Sequence, residues 1–411
     1  MSTYSSPFIR FYLIVIICFV LVPLSVFSKT DAKLKSGNWY GSLELNDTVV
    51  LPVIFKFEAG KIIFVNGEEK IIADEVTFVK DSVFIRMPVF DSEFRCRFSE
   101  KSLTGFFYNH ARKNKNIIPF HAKYGSSMHF LTKQNEPSLN ITGKYHIVFD
   151  DEDPDSKNAV GVFTQNGINL TGTFLTTTGD YRYLFGDITD GKISLSAFDG
   201  SHLFLFKALV KGDSLINGDF FSGQNWHGTW HGWKEKNAKL LPADSLTFLN
   251  PGFDKFDFTF PDETGKNISL SDARFNNKAV IIQLMGSWCP NCMDETKFLS
   301  NWYNKNRNKN IEVVALAYER FLDTTIVNTN IRRLKNRFDI NYPVLFAGSS
   351  DKKEAALTLP MLNRVFAFPT TIFLNSEKKV VKIHTGFSGP ATGEEYLKFI
   401  DWFEIVVSKL E

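Results

Sequence analysis

Two cysteines, Cys289 and Cys292, lie close together directly after a strongly apolar stretch of the chain. The apolar run, residues 279–285, predicts a buried strand. Pro290 follows the first cysteine and predicts the first turn of a helix, where a missing N–H leaves no hydrogen bond unmade. The sequence therefore predicts a strand that leads into a helix with two thiols at its N-terminal end.

This placement of the two thiols has chemical consequences. The N-terminal end of a helix favours a thiolate, because unpaired N–H groups and the helix dipole face it. Cys289 is expected at the exposed end of the helix and is the predicted nucleophile. Cys292, one turn further along, would reach the sulfur of a mixed disulfide and resolve it. We therefore predict a redox-active Cys289–Cys292 disulfide and expect no bound cofactor.

The N-terminal residues predict an export signal. Arg10 precedes an apolar run, 11–27, that is short for a membrane span and suits the core of a signal peptide. Cleavage after Ser28 would make residues 1–28 a signal peptide, and the alternative is an uncleaved membrane anchor. Both interpretations predict an extracytoplasmic protein, periplasmic if the signal is cleaved.

The remaining cysteines and the net charge argue against two classes of protein, disulfide-rich secreted proteins and nucleic-acid-binding proteins. Three cysteines follow the predicted signal, which does not suit a framework of structural disulfides. Cys96 alternates with Phe94 and Phe98 and is predicted to be a small buried residue of a strand. The formal net charge of +2 over 411 residues gives no electrostatic argument for a nucleic-acid partner, so we expect none.

A β-rich region precedes the dithiol. Residues 29–235 contain short alternating segments separated by turns such as Asn66-Gly67, and 41 Phe residues in the chain favour a well-buried β structure. A recurring Gly-x-aromatic pattern predicts two related antiparallel units, 36–132 and 139–235, that form a barrel or a sandwich. The class predicted for this region is all-β.

The pattern changes after a predicted linker at residues 236–251. Residues 252–411 alternate strand and helix, which predicts an α/β domain with a mixed sheet and flanking helices. Besides the strand before Cys289, the predicted strands are 311–318, 342–347 and 370–374, and the predicted helices are 291–306, 323–337 and 392–408.

Residues 368–373, Phe-Pro-Thr-Thr-Ile-Phe, complete the motif. A proline just ahead of a strand, in a chain that carries Trp-Cys-Pro-x-Cys, resembles the cis-proline of the thioredoxin fold. Residues 252–411 resemble a thioredoxin-like domain of the TlpA/ResA branch, which overlaps the redoxin and AhpC/TSA class. A β-rich region before such a domain is similar to exported proteins of Bacteroidetes-type bacteria.

The resemblance implies which residues would handle substrate. In this fold the proline loop lies against the dithiol and offers backbone groups to an extended substrate, a role that falls on Phe368 and Pro369. Trp288 and Pro290 would complete this substrate-binding surface, with Trp288 covering the dithiol and keeping it partly dry.

Glu295 is the predicted proton-handling residue. It stands three positions after Cys292, where the family carries an acidic residue. Gln283 occupies the position six residues before Cys289 where thioredoxin has a buried Asp, and an amide cannot act as a base. A Glu buried beside two sulfurs should have a raised pKa, whereas an ordinary solvated acid of the first turn is the alternative. Asp294 is predicted to face elsewhere on the helix.

Three further interpretations stay open at this point. A thiol-dependent peroxidase of the AhpC/TSA class, with antioxidant activity, would need Cys289 alone, but Gly286 stands where peroxiredoxins carry Thr or Ser. A zinc site needs two ligands besides the cysteines, and His384 stands alone in this domain. The third is an envelope binding or interaction protein in which the redox domain is subordinate. Glu319 and Arg320, after a predicted strand, are neighbours of the site outside the catalytic set.

The favoured function is a thiol–disulfide oxidoreductase that reduces disulfides of exported proteins, because the branch that the chain resembles works in this direction. The predicted partners are protein disulfide and dithiol substrates and an electron-donor thiol protein of the cell envelope. Membrane anchoring would follow only from an uncleaved N-terminal segment.

Overall fold

The computed structural model describes residues 34–112, 114, 116–125, 139–150 and 157–410. The predicted signal peptide or anchor, residues 1–28, lies outside this part of the chain. Among the described residues, no helix is long and apolar enough to cross a membrane.

The first β unit is a nine-stranded antiparallel sheet. Its strands are β1 (Gly37–Glu44), β2 (Val50–Glu58), β3 (Lys61–Asn66), β4 (Glu69–Ala73), β5 (Val76–Val79), β6 (Ser82–Arg86), β7 (Ser92–Phe98), β8 (Ser102–Asn109) and β9 (Ile117–Tyr124). They lie in the order β4-β3-β2-β1-β9-β8-β7-β6-β5. Alternate residues such as Trp39, Phe55 and Phe94 face a shared aromatic core. Cys96 of β7 is a buried free thiol, as predicted.

The second β unit closes on itself. Its strands are β10 (Gly143–Phe149), β11 (Asn158–Asn166), β12 (Asn169–Thr176), β13 (Gly179–Asp180), β14 (Leu184–Thr189), β15 (Lys192–Phe198), β16 (Leu203–Lys211), β17 (Ser214–Ser222) and β18 (Trp226–Lys234). Because β10 pairs with both β11 and β18 while β12 pairs with both β11 and β14, eight of the strands form an antiparallel ring. The short β13 pairs with the end of β12.

The C-terminal domain is α/β, as predicted. Its short strands β19 (Thr259–Pro261) and β20 (Asn267–Ser269) precede a five-stranded sheet of β21 (Ala279–Met285), β22 (Ile311–Glu319), β23 (Val344–Ser349), β24 (Thr370–Leu374) and β25 (Val380–Thr385). The order β23-β22-β21-β24-β25 combines parallel and antiparallel pairs, so the sheet is mixed. The helices are α1 (Pro290–Lys305), α2 (Thr324–Phe338), α3 (Lys352–Thr358) and α4 (Glu394–Ser408).

Four elements of this domain were not predicted, and one strand is shifted. The strands β19 and β20 have three residues each, too few to show an alternating pattern in the sequence. The helix α3 has seven residues, too few for a helical period to be seen in the sequence. The strand β25 is only partly buried, which weakens its apolar pattern. The strand predicted at 342–347 is observed at Val344–Ser349, because Pro343 has no N–H to donate to a ladder.

Candidate active site

The turn between β21 and α1 places both cysteines. All seven residues of β21 are buried, and the strand lies at the centre of the sheet. The chain leaves β21 at Met285 and enters the turn that carries the cysteines. Cys289 is the N-cap residue of α1, and its Sγ accepts the Cys292 N–H at 3.2 Å. Pro290 occupies the first helical position, as predicted. The two cysteines form a disulfide with their Cα atoms 5.2 Å apart.

The two sulfur-bearing residues are both shielded from solvent. Cys292 is fully buried, whereas Cys289 retains 6% exposure. The order of exposure agrees with an attacking Cys289 and a resolving Cys292. The expectation that Cys289 is exposed was nevertheless wrong, because the neighbouring Phe368 loop packs against its side chain.

The predicted substrate-binding residues lie together beside the dithiol. The Sγ of Cys289 is 3.5 Å from the Phe368 carbonyl oxygen, and the Phe368–Pro369 peptide bond is cis. The ring of Trp288 meets that of Phe368 edge to face, with centroids 6.1 Å apart. Trp288 is the partly exposed member of this group, whereas Pro290, Phe368 and Pro369 are buried. Only a limited part of the predicted surface is therefore open to solvent.

Glu295 lies one turn after Cys292 in a fully buried position. Burial raises the pKa of its carboxyl group to about 7, although two hydrogen bonds oppose the shift. Gln283 Nε2 donates to Glu295 Oε2 at 2.8 Å, and Thr371 Oγ1 donates to Oε1 at 2.7 Å. The same Gln283 amide nitrogen is 3.4 Å from the Cys292 carbonyl oxygen. Glu295 is thus no solvated first-turn acid.

Thr371 was missed as a partner of Glu295, although the sequence contains a usable signal. In the antiparallel β21–β24 pair, Gln283 stands directly opposite Thr371. Residues that face each other across two strands project from the same face of the sheet. Glu295 of α1 lies above that face and receives both side chains. The missing information was the strand register, which a single sequence leaves open.

Glu319 and Arg320 contact the loop before Cys289. Glu319 ends β22 and accepts the Ser287 N–H at 2.8 Å and the Ser287 hydroxyl at 2.6 Å. Burial raises the pKa of Glu319 to about 7, against the effect of these hydrogen bonds. The guanidinium of Arg320 lies 4.2 Å from the ring centroid of Trp288. Both residues therefore position the segment that carries the nucleophile.

A loop of the second β unit reaches α1 through Asp294. The carboxylate of Asp294 forms an ion pair with Arg182, whose guanidinium is buried. Asp294 thus faces away from the sulfurs, as predicted, but toward an internal partner. Arg182 also pairs with Glu69 of the first β unit and lies 3.6 Å from Asp199. This ionic cluster joins both β units to the active-site helix.

Within the part of the chain that the structure describes, no group of three or more His, Cys, Asp and Glu residues could hold a metal ion. His384 packs instead against the rings of Phe399 and Trp402, and burial lowers the pKa of its imidazole to about 4.

The C-terminal domain is similar to several known proteins. Residues 253–397 match the Redoxin family. The thiol-disulfide oxidoreductase ResA of Bacillus subtilis (strain 168) is 27% identical over 169 residues, which cover 41% of this chain and 84% of ResA. ResA of Bacillus thuringiensis subsp. konkukian is 26% identical over 143 residues, or 35% of this chain and 74% of that protein. The predicted resemblance to the TlpA/ResA type is confirmed.

Two solved structures are also similar to part of this chain. A thiol-disulfide oxidoreductase from Bacteroides fragilis NCTC 9343 is 21% identical, with a TM-score of 0.26, and covers 36% of this chain and 99% of its own. A thiol:disulfide interchange protein of the thioredoxin family from Chlorobium tepidum TLS is 19% identical, with a TM-score of 0.28, and covers 36% and 94%. The C-terminal domain, with its disulfide at the start of α1, is thus similar to thioredoxin-like thiol–disulfide oxidoreductases.

Proposed function

We propose that this protein is an extracytoplasmic reductase of disulfides in exported proteins. The observation that carries the proposal is the disulfide at the start of α1, in which Cys289 caps the helix and Cys292 is fully buried. The capping position favours a Cys289 thiolate once the pair is reduced. A helix start of this kind supports attack by the first cysteine rather than by the second.

The reaction consists of two thiol–disulfide exchanges. The Cys289 thiolate attacks one sulfur of the substrate disulfide, and the other substrate sulfur leaves as a thiolate. The Cys292 thiolate then attacks Cys289 in the mixed disulfide and releases the second substrate sulfur. The substrate gains two electrons and two protons, and the enzyme is left as the Cys289–Cys292 disulfide. A thiol protein of the envelope, the predicted electron donor, returns it to the dithiol.

Glu295 is the group that would take the proton from Cys292 in the second exchange. Its pKa of about 7 lies near a neutral working pH, where a general base is most effective. Phe368 and Pro369 would present the substrate strand through their backbone groups, beside the half-buried Trp288. The export signal predicted at residues 1–28 supports the location of the reaction outside the cytoplasm.

The test uses two cysteine variants and a trapping experiment. Cys292→Ser should accumulate mixed disulfides with substrate proteins, because Cys289 can attack but nothing resolves the product. Cys289→Ser should form none and should not reduce insulin in the presence of dithiothreitol. Insulin reduction at the wild-type rate by Cys289→Ser would contradict the proposal. So would rapid consumption of hydrogen peroxide that depends on Cys289 but not on Cys292.

The direction of exchange has its own measurement. The reduction potential of the Cys289–Cys292 pair, determined in glutathione buffers, should lie near the thioredoxin value of about −270 mV. A value near about −120 mV, as in strong oxidants of this fold, would make the protein an oxidase instead.

A further inference from the structure

One flank of the dithiol is covered by a segment of the second β unit, residues 177–183, which links β12 to β14 and is called the β12–β14 segment. Gly179 packs so closely against α1 that an added Cβ would overlap the side chain of Asn291. The Asp180 carboxylate accepts the Gly389 N–H at 2.7 Å. The Thr177 carbonyl oxygen packs against Gly386, where an added Cβ would lie 2.8 Å from it. A substrate chain therefore has no room on this side of Cys289.

The opposite flank, beside Trp288, is open. A cavity of about 220 Å³ is lined there by Ser287, Trp288 and Arg320 and, from the first β unit, by His110 and Ala111. A wider cleft of about 700 Å³ shares Ala111 and Arg320 with this cavity. The two spaces form a path that leads from the active-site tryptophan to the surface where both β units meet the C-terminal domain.

The wider cleft is lined by three basic side chains, Arg112, His202 and Arg320, and by polar groups of Ser222 and Asn225. The two guanidinium groups line the same space. Burial lowers the pKa of each, and the charge of Arg112 lowers that of Arg320 further. Arg112 is held by the Ser201 carbonyl oxygen at 3.3 Å, and Arg320 by the Trp288 ring. In the described part of the chain, neither guanidinium forms an ion pair with a carboxylate.

The acidic groups around the cleft are already engaged. Asp199 lies 3.3 Å from His202 and 3.6 Å from Arg182. Glu319 accepts both hydrogen bonds of Ser287. Asp351 caps α3 by accepting the N–H groups of Lys353 and Glu354 at 2.9 and 3.0 Å. The lining of the cleft itself carries two guanidinium groups against the single carboxylate of Asp351, so positive charge is in excess there. The two arginines are half-buried and costly to leave unpaired.

We propose that this cleft binds a carboxylate-bearing stretch of the polypeptide whose disulfide is reduced at Cys289, with Arg112 and Arg320 as the residues that pair with the carboxylates. The inference rests on the proposed function and adds a substrate preference to it. A guanidinium pairs with a carboxylate through two parallel hydrogen bonds, which gives both affinity and orientation. The substrate runs past Trp288 because the β12–β14 segment closes the other flank.

The experiment compares two synthetic peptides that each contain one intramolecular disulfide. They are identical except for a flanking Asp-Asp-Asp or Asn-Asn-Asn segment. The full-length protein reduces each with dithiothreitol as electron donor, and the readout is the ratio of the two kcat/KM values. We expect the acidic peptide to be preferred about tenfold, from one or two charge-assisted pairs, and the preference to shrink in 0.5 M NaCl.

Three variants assign the preference to the cleft. Arg112→Gln, which does not alter the Trp288 contact, should lower the ratio, and the double variant Arg112→Gln/Arg320→Gln should bring it to about one. Arg307→Gln is the matched control, because this exposed arginine lies beyond the far end of α1 and should leave the ratio unchanged. Circular dichroism of each variant reports whether the fold is kept, and the single variant carries the test if the double variant does not fold.

The outcomes separate this inference from the proposed function. Equal kcat/KM values of the wild-type protein for both peptides would overturn the inference and leave the reductase intact. An acidic preference that survives in Arg112→Gln and in the double variant would also overturn it. Failure to reduce either peptide, or insulin, would contradict the proposed function itself.

Discussion

Gln283 Nε2 donates a hydrogen bond of 2.8 Å to Glu295 Oε2, so the amide serves the buried carboxyl group directly. Gln283 also accepts the Thr296 hydroxyl at 3.0 Å through Oε1, which fixes the orientation of its amide. The residue on the strand six positions before Cys289 is therefore not the residue that exchanges the proton. The glutamine orients the carboxyl group, and the glutamate titrates.

The free energy of unfolding should depend on pH through Glu295. The folded oxidised protein holds this proton up to about pH 7, whereas the unfolded chain releases it near the ordinary pKa of 4.5. The free energy of unfolding should therefore fall by up to about 3 kcal/mol as pH rises between these values. Glu295→Gln should lose this contribution and show a shallower fall than the wild type, as measured by urea unfolding at pH 4.5, 5.5 and 7.5. Glu319, whose pKa burial also raises to about 7, keeps its own contribution in both proteins. The exposed Glu394→Gln is the control and should follow the wild-type slope.

The rate of the resolving step should also depend on the protonation of Glu295. The wild-type rate of the resolving step should rise with pH to a plateau just above 7, because Glu295 accepts a proton only when it is ionised. Glu295→Gln should lose about 100-fold in this step and show no inflection near pH 7. Stopped-flow decay of a preformed mixed disulfide on Cys289 measures it. An unchanged pH profile in the variant would assign the inflection to another group.

The ionic cluster around Arg182 should be essential for stability. Arg182→Met leaves Glu69, Asp199 and Asp294 without their shared cation in a buried place, at a cost of about 3–5 kcal/mol at pH 8. The cost should be smaller at pH 5.5, because burial raises the pKa of Asp294 to about 6 and the protonated acid needs no counter-charge.

The matched control for this variant is Arg86→Met. Arg86 pairs with Asp91 at 3.0 Å but is about one-third exposed, so its removal should cost less than about 1 kcal/mol. Urea unfolding at both pH values measures both variants. Equal losses for Arg182→Met and Arg86→Met would show that the buried cluster adds no stability.

Gly179 should tolerate no side chain. Its φ of +144° lies where residues with a Cβ are strained, and an added Cβ would be 2.8 Å from Asn291 Cγ. Gly179→Ala should therefore destabilise the protein by about 1–3 kcal/mol and should speed alkylation of reduced Cys289 by loosening the covering segment. Gly167→Ala is the control, since its φ of +59° is also positive but no atom lies near the added Cβ. A larger loss of stability in Gly167→Ala would contradict the close packing at Asn291.

Glu319 should control the position of the loop before Cys289. Glu319→Ala leaves the buried Ser287 N–H and hydroxyl without their acceptor, at an expected cost of about 1–3 kcal/mol. Glu319→Gln should restore part of this, because the amide oxygen still accepts the N–H. Thermal unfolding and insulin reduction, compared between the two variants, provide the measurement. Identical losses in both would mean that the carboxylate charge, rather than the hydrogen bonds, matters.

The local chemistry of this protein could be predicted from the sequence, because it depends on neighbours in the chain. An apolar run followed by Cys289 and Pro290 specifies a buried strand, a capped helix and a dithiol at its start, and all three are observed. The resemblance to a family that carries an acidic residue three positions after the second cysteine placed Glu295 beside Cys292, and the residue is fully buried there. The class of each region, all-β and then α/β, followed from its residue periodicity.

Contacts between distant segments were decided only by the tertiary structure. Arg182 and Asp294 are separated by 112 residues, and nothing in their local sequences indicates that they form an ion pair. The covering of Cys289 and the opposition of Gln283 and Thr371 depend on loop closure and strand register, which hydrophobic pattern leaves undetermined. Local pattern is set by backbone geometry over a few residues, whereas these contacts depend on how whole sheets pack. The sequence by itself therefore determined the dithiol, and the packing of the β units decided how a substrate reaches it.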